Sequence, residues 1–95
     1  MIHIRRVVGS SMAPTLRDNQ IVFVLNSRNF KVGDVVVAFM DRKEVIKRIE
    51  KYVDGQVFLV GDNKDESTDS RQHGWLVDRH VEGKVVWPCT SKKSL

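Results

Sequence analysis

Ninety-five residues, 41% of them hydrophobic and 29% charged, read as one small globular domain and exclude wholesale disorder. The formal net charge of +4 comes from sixteen Lys and Arg scattered among twelve acids without a long basic run, so no dedicated nucleic-acid surface is indicated. A single cysteine, Cys89, rules out an internal disulfide, and no apolar run approaches the roughly 20 residues that span a bilayer.

Short runs rich in Val, Ile and Phe follow one another along the chain. Residues 2–8, 21–25, 34–40, 45–52, 56–60 and 82–87 are predicted strands. Turn signals separate them at Asp18-Asn19, Val32-Gly33-Asp34, Asp41-Arg42-Lys43 and Asp54-Gly55, the last a two-residue hairpin. No segment keeps a 3.6-residue apolar period long enough for a substantial helix, although short helical turns fit residues 12–16 and 76–80. The expectation is an all-β fold of compact, coiled antiparallel sheets built from short strands. It occupies residues 1–90, and a basic tail over 91–95, with Lys92 and Lys93, is predicted to be disordered. Most of the seven aromatics fall in strand positions that read as core, which argues against a base-stacking platform.

Three segments carry chemistry. In Gly9-Ser10-Ser11-Met12-Ala13-Pro14-Thr15-Leu16, Gly9 permits an unusual backbone angle before Ser11 and Pro14 fixes the chain after it. A rigid turn that displays a hydroxyl suits a nucleophile, and its N–H groups can line an oxyanion hole; a Ser-rich turn or helix cap reads equally well from this segment alone. In Val45-Ile46-Lys47-Arg48-Ile49, strand alternation puts Lys47 on a row with Val45 and Ile49, where burial would lower its pKa and make it a base. A snorkelling lysine is the plainer alternative there, and Arg48 and Lys51 read as ordinary solvated charges. Residues 61–71 are too polar and turn-rich to be only a connector. Asp62 and Asn63 suit a tight turn, Ser67 can hydrogen-bond a lysine amine, and Asp69 and Arg71 can pair. The spacing of Asp62, Asp65 and Asp69 does not match a calcium loop, so no metal is expected.

Taken together and in order, these segments resemble the type I signal peptidases, the Ser/Lys serine proteases. The Ser11-Met12-Ala13-Pro14-Thr15-Leu16 run is similar to the family's serine box, Gly33-Asp34 to its Gly-Asp strand box and Lys47-Arg48 to its lysine box. Gly61-Asp62-Asn63 with Ser67, Asp69, Ser70 and Arg71 is similar to its last box. The resemblance implies that Ser11 is the nucleophile and Lys47 the general base, that Ser67 orients the lysine, and that Asp69 and Arg71 support the site together with Asp62 and Asn63. It implies an oxyanion hole from the Ser11 backbone, with Gly9 where some members carry a helpful serine and Ser10 a further candidate. Met12 and Pro14 would lie beside the substrate. Only thirteen residues separate Lys47 from Gly61, so the large cap insertion of many bacterial members is missing.

The expected function is a serine endopeptidase that removes an N-terminal leader, signal or propeptide, using no cofactor, from a precursor protein bound as an extended strand. A short, anchorless member also resembles the proteases that mature nickel-containing superoxide dismutase. A β-domain that binds peptide or nucleic acid without cutting is the alternative of another class, with no nucleic acid expected under the protease reading and weak membrane-surface contact compatible with it. His3, His73 and His80 are alternative bases that nothing in the spacing selects. If Met1 is the native start, a cytoplasmic protein is expected; if an anchor precedes it, a membrane-associated one.

Overall fold

The computed structural model describes residues 1–91, so Lys92, Lys93 and nearly all of the expected basic tail lie outside the described residues. Seven strands form among the described residues: β1 (Ile2–Arg6), β2 (Ile21–Leu25), β3 (Val35–Met40), β4 (Lys43–Val53), β5 (Gln56–Val60), β6 (Leu76–Val77) and β7 (Val81–Trp87). They make one curled sheet in the order β1-β2-β7-β3-β4-β5-β6, and every neighbouring pair is antiparallel. The all-β expectation is borne out.

β3 sits at the centre and is buried on both sides, which is why its sequence is an uninterrupted apolar run. Its odd positions, Val35 and Val37, join one core cluster with Val7, Met12, Leu16, Val22 and Val24. Its even positions, Val36, Ala38 and Met40, join a second with Phe30, Ile49, Val57, Leu59 and Val81. A strand with period two thus feeds two cores, one on each face. Irregularities in register at Phe23/Val24, Val37/Ala38 and Ile49/Lys51 increase the local twist and help the sheet to curl.

Two tight hairpins set the register of β4. Asp54 and Gly55 take φ of 51° and 76°, the type I′ geometry whose twist suits a two-residue hairpin. Asp41 and Arg42 do the same at 49° and 65°, so β4 begins at Lys43, two residues before its apolar pattern does. The β3 ladder pairs Lys43 to Arg48, whereas the β5 ladder starts only at Arg48. Residues 43–47 therefore have β3 on one side and no ladder with β5 on the other.

Several expectations shift. Leu76 and Val77 pair with Val57 and Gln56 as a short strand, and the helical turn of that region starts at Asp78. Residues 12–16 form a turn closed by Leu16 N–H on the Met12 carbonyl (2.9 Å) without becoming a helix. A four-residue helix, α1 (Ser70–His73), arises inside the polar segment, capped by the Asp69 side chain. Of the seven aromatics only Phe30 is buried in the core; Phe23, Phe39, Trp75 and Trp87 are 40 to 58% exposed, on outward strand positions or just outside strands. Phe23 and Trp87 pack instead on each other across β2 and β7, with ring centres 5.5 Å apart.

Candidate active site

The turn that carries Ser11 is fixed from beneath and from both ends. Met12 and Leu16 are buried in the first core cluster, so two of its side chains serve as plugs. Gly9, at φ of 85°, a conformation that glycine tolerates and L side chains rarely adopt, donates its N–H to Asp18 Oδ1 at 2.7 Å. At the other end Thr15 Oγ1 donates to Asp62 Oδ2 at 2.6 Å. Ser11 is left half-buried, and its hydroxyl makes no hydrogen bond to another described residue.

Asp62 holds more than Thr15. Its two carboxylate oxygens accept from Arg48 Nε and Nη2 at 2.8 and 2.7 Å, and these side chains are 8% and 2% exposed. Arg48 donates further to the carbonyls of Gly33 (2.7 Å) and Thr90 (2.8 Å). The expectation that Arg48 is an ordinary solvated charge is therefore corrected. It is a buried fork that ties four segments together, with its planar donors matched to one carboxylate and two carbonyls. Period two hid this, because an arginine opposite a lysine row looks like the wet face of a strand, yet this face packs on the loop that follows β5.

Lys47 lies on the other side of β4, opposite Val36, and is only 5% exposed. Its amine donates to Ser67 Oγ at 3.0 Å. Ser67 in turn donates its single hydroxyl proton to Asp69 Oδ2. Since that proton is committed to the carboxylate, Ser67 can only accept from Lys47, which fixes the direction of the amine. Asp69 is fully buried and also accepts from the Gly61 N–H (2.7 Å), the Arg71 N–H (3.1 Å), and Arg71 Nε and Nη2 (3.0 and 2.7 Å). Burial alone would raise its pKa. The Arg71 guanidinium, the Ser67 hydroxyl and the two backbone donors outweigh that and hold the carboxyl well below the usual carboxylate range. Burial pushes the Lys47 amine below the usual lysine range; Asp69 opposes this, and Arg71 and Lys43 add to it.

Gly61 brings these parts together. A Cβ built on it would lie 2.3 Å from Ser67 Oγ and 2.6 Å from the Ser11 carbonyl oxygen, so the absence of a side chain lets the serine turn and the Ser67 segment touch. Asn63 completes the seam: its N–H donates to the Ser11 carbonyl at 2.8 Å and its side-chain amide to the Ser10 carbonyl at 3.0 Å.

Ser11, Met12 and Lys47 line one cleft of about 400 Å³. Residues 43–47 of β4 form one wall, Arg6, Val7 and Val8 another, and Glu66 and Thr68 the rim. Pro14 is exposed outside the lining, and Ser10 is exposed with its carbonyl turned to Asn63. His73 and His80 are exposed away from the cleft, and His3 lines a separate, smaller cavity. Thr15 and the depth of Arg48 escaped the sequence reading. The usable signal was an Asp that follows a strand end directly and has a hydroxyl and a guanidinium within reach only after folding.

A family description, Peptidase S24-like, matches residues 2–86, nearly the whole sheet and both walls of the cleft. The chain belongs to the Peptidase S24-like family. Two similar proteins are the mitochondrial inner membrane protease subunit 1 of Mus musculus and that of Homo sapiens, each 32% identical over 110 residues. The alignment covers 84% of this chain and 66% of each relative, so the chain spans somewhat less than two thirds of the relatives' length. These likenesses bear out the resemblance to signal peptidases and set the cleft in a family of peptidases. Among the described residues of this S24-like chain, no helix is long and apolar enough to cross a membrane.

Proposed function

We propose that this chain is a serine endopeptidase in which Ser11 is the nucleophile and Lys47 the general base, and that it removes an N-terminal leader, signal or propeptide from a precursor protein. The observation that carries the reading is the state of Lys47. The amine is buried, shifted toward its neutral form, aimed by Ser67, and set in the cleft that Ser11 lines. A neutral amine with its N–H committed to Ser67 has a lone pair left to accept the Ser11 proton.

The chemistry then needs side chains and backbone alone. Ser11 Oγ attacks the scissile carbonyl as its proton passes to Lys47, and the tetrahedral oxyanion is held by backbone N–H at Ser11. Collapse breaks the peptide bond, the Lys47 ammonium returns its proton to the leaving amine, and an acyl-enzyme remains. Water activated by the same amine releases the acyl group. In the free enzyme the hydroxyl and the amine are not hydrogen-bonded to each other, a looseness that is usual before substrate closes the site. The edge of residues 43–47 that lacks a ladder with β5 suits a substrate lying as an added strand along the cleft wall. The relatives' name ties them to an inner membrane, and we extend to this chain a working place at a membrane surface.

The test is cleavage, followed by mass spectrometry, of a secretory precursor with a small-x-small cut site and of a nickel superoxide dismutase precursor. Wild type is expected to cut one of them, and Ser11→Ala and Lys47→Met to lose at least about a hundredfold in rate with the fold intact, since each removes a member of a unit. Near wild-type cleavage by either variant overturns the assignment.

A further inference from the structure

The proposed reaction needs a donor for the oxyanion, and two residues before Ser11 the chain has Gly9, which supplies no hydroxyl. The backbone must do the work, and a peptide N–H serves only while its peptide plane stays put. Turns interconvert by rotating such planes, because type I and type II differ mainly in one peptide's orientation. Both planes that flank Ser11 are held by a single residue. The Asn63 side-chain amide holds the Ser10 carbonyl at 3.0 Å, and the Asn63 N–H holds the Ser11 carbonyl at 2.8 Å. The Ser10–Ser11 peptide is trans, so its N–H points opposite to its carbonyl. With that carbonyl turned to Asn63, the Ser11 N–H faces away from the loop at residues 61–63. It makes no hydrogen bond to another described residue. The Ala13 N–H also reaches the Ser10 carbonyl, at 3.1 Å, but Ala13 moves with the same turn, whereas Asn63 belongs to the loop that carries the rest of the site. Asn63 is not among the residues that line the cleft.

We propose that Asn63 is a positioning residue for the oxyanion hole: its side-chain amide locks the Ser10–Ser11 peptide in the orientation that presents the Ser11 N–H to the developing oxyanion. The proposal rests on Ser11 being the nucleophile. Asp62, its neighbour, holds the far end of the same turn through Thr15, so the two adjacent residues fix the turn at two points.

Two variants separate the parts. Asn63→Ala deletes the side-chain donor and leaves the backbone bond to Ser11; Asn63→Asp keeps the shape and sets an acceptor against the Ser10 carbonyl. Each is compared with wild type for kcat and KM on a cleavable peptide, for affinity toward a peptide boronate that forms a tetrahedral adduct on Ser11, and for melting temperature. Loss of a whole oxyanion donor lowers kcat about 10²–10³-fold, and a displaced donor is expected to cost about tenfold in Asn63→Ala and more in Asn63→Asp. Boronate affinity should fall by the same factor while KM stays within about twofold, because the interaction is made only in the tetrahedral state. Unchanged kcat and boronate affinity in both variants overturn the proposal. So does a rise in KM at constant kcat, and so does a fall in melting temperature with boronate affinity retained. Ser11→Ala keeps the two readings apart. Cleavage and adduct formation that survive it, or that wild type lacks, bring down the nucleophile and this inference together; Ser11-dependent activity that ignores Asn63 brings down this inference alone.

Discussion

Adding one methyl group at Gly61 tests the central contact of the site. The Cβ of Gly61→Ala would stand 2.3 Å from Ser67 Oγ and 2.6 Å from the Ser11 carbonyl oxygen. Reaching ordinary contact at 3.4 Å requires movement of about 1.1 Å by the hydroxyl and about 0.8 Å by the carbonyl. Neither is at liberty to move. Ser67 is bound to both Lys47 and Asp69, and the Ser11 carbonyl is bound to Asn63. Overpacking of this kind costs about 1–3 kcal/mol. In a domain of this size each kcal/mol is worth about 4–8 °C, so melting should fall by roughly 5–20 °C. The effect on turnover is expected to be larger than the effect on stability. A misplacement on the order of 1 Å of the proposed nucleophile and of the lysine's anchor costs about a hundredfold in kcat. The assay pairs a thermal melt by circular dichroism with initial rates of peptide cleavage at a temperature well below the variant's melting point, where unfolding does not contribute. A folded Gly61→Ala protein with kcat within about twofold of wild type would refute the claim that Gly61 sets the distance between the two halves of the site.

Three further outcomes follow from the buried charges. Burial lowers the Lys47 pKa, so activity should rise through an alkaline limb whose midpoint lies below the roughly 10.4 of a free lysine; a midpoint at the free value would contradict the base assignment. The same shift has a stability sign. Between the folded pKa and about 10.4 the unfolded chain binds more protons, so wild-type stability rises with pH, and Lys47→Met should be more stable than wild type at neutral pH by a margin that narrows as pH approaches 10.4 in urea melts. Asp62→Ala leaves the Arg48 guanidinium buried without its carboxylate and should lose about 3–5 kcal/mol, whereas Asp62→Leu combined with Arg48→Met should recover much of it; denaturant midpoints decide, and a loss below about 1 kcal/mol would show the pair to be incidental.

The strands were legible because each apolar run carries its own period and its own turn. Asp54-Gly55 announced a hairpin that the sheet uses unchanged, and β2 and β5 have the bounds their sequences suggest. Legibility failed where pairing overrode local pattern. Lys43 and Glu44 are polar, yet they belong to β4 because the turn at Asp41 and Arg42 puts them opposite Met40 and Phe39. Leu76 and Val77 are too short a run to declare a strand, and only the edge of β5 makes them one. At the site, the residue types and order of Ser11, Lys47 and Ser67 were visible in one dimension. The depth of Arg48 and the closeness of Gly61 to Ser11 were not, since both come from a loop folding back across β4 from residues far along the chain.

The arrangement of acids around Lys47 gives the site its logic. A buried lysine normally keeps its proton by finding a carboxylate, and the acid that faces Lys47 is Asp69, one hydroxyl away. Asp69 already has an arginine, Arg71 at 2.7 Å, just as Glu44 on the cleft wall has Arg5 at 2.7 Å and Asp62 on the other side of β4 has Arg48 at 2.7 Å. The Lys47 amine is left with a hydroxyl, Ser67, whose own proton is spent on Asp69. The Arg71 guanidinium holds the Asp69 carboxyl in its ionised form and committed to it, and desolvation of Lys47 is not cancelled by a dedicated counter-ion. Replacing Arg71 by a neutral residue should therefore do more than loosen a loop. It would release Asp69 as a counter-ion for Lys47, favour the ammonium, and move the alkaline limb of activity upward. A limb that stayed in place in Arg71→Gln would show that burial alone, without the pairing of the acids, sets the state of the amine.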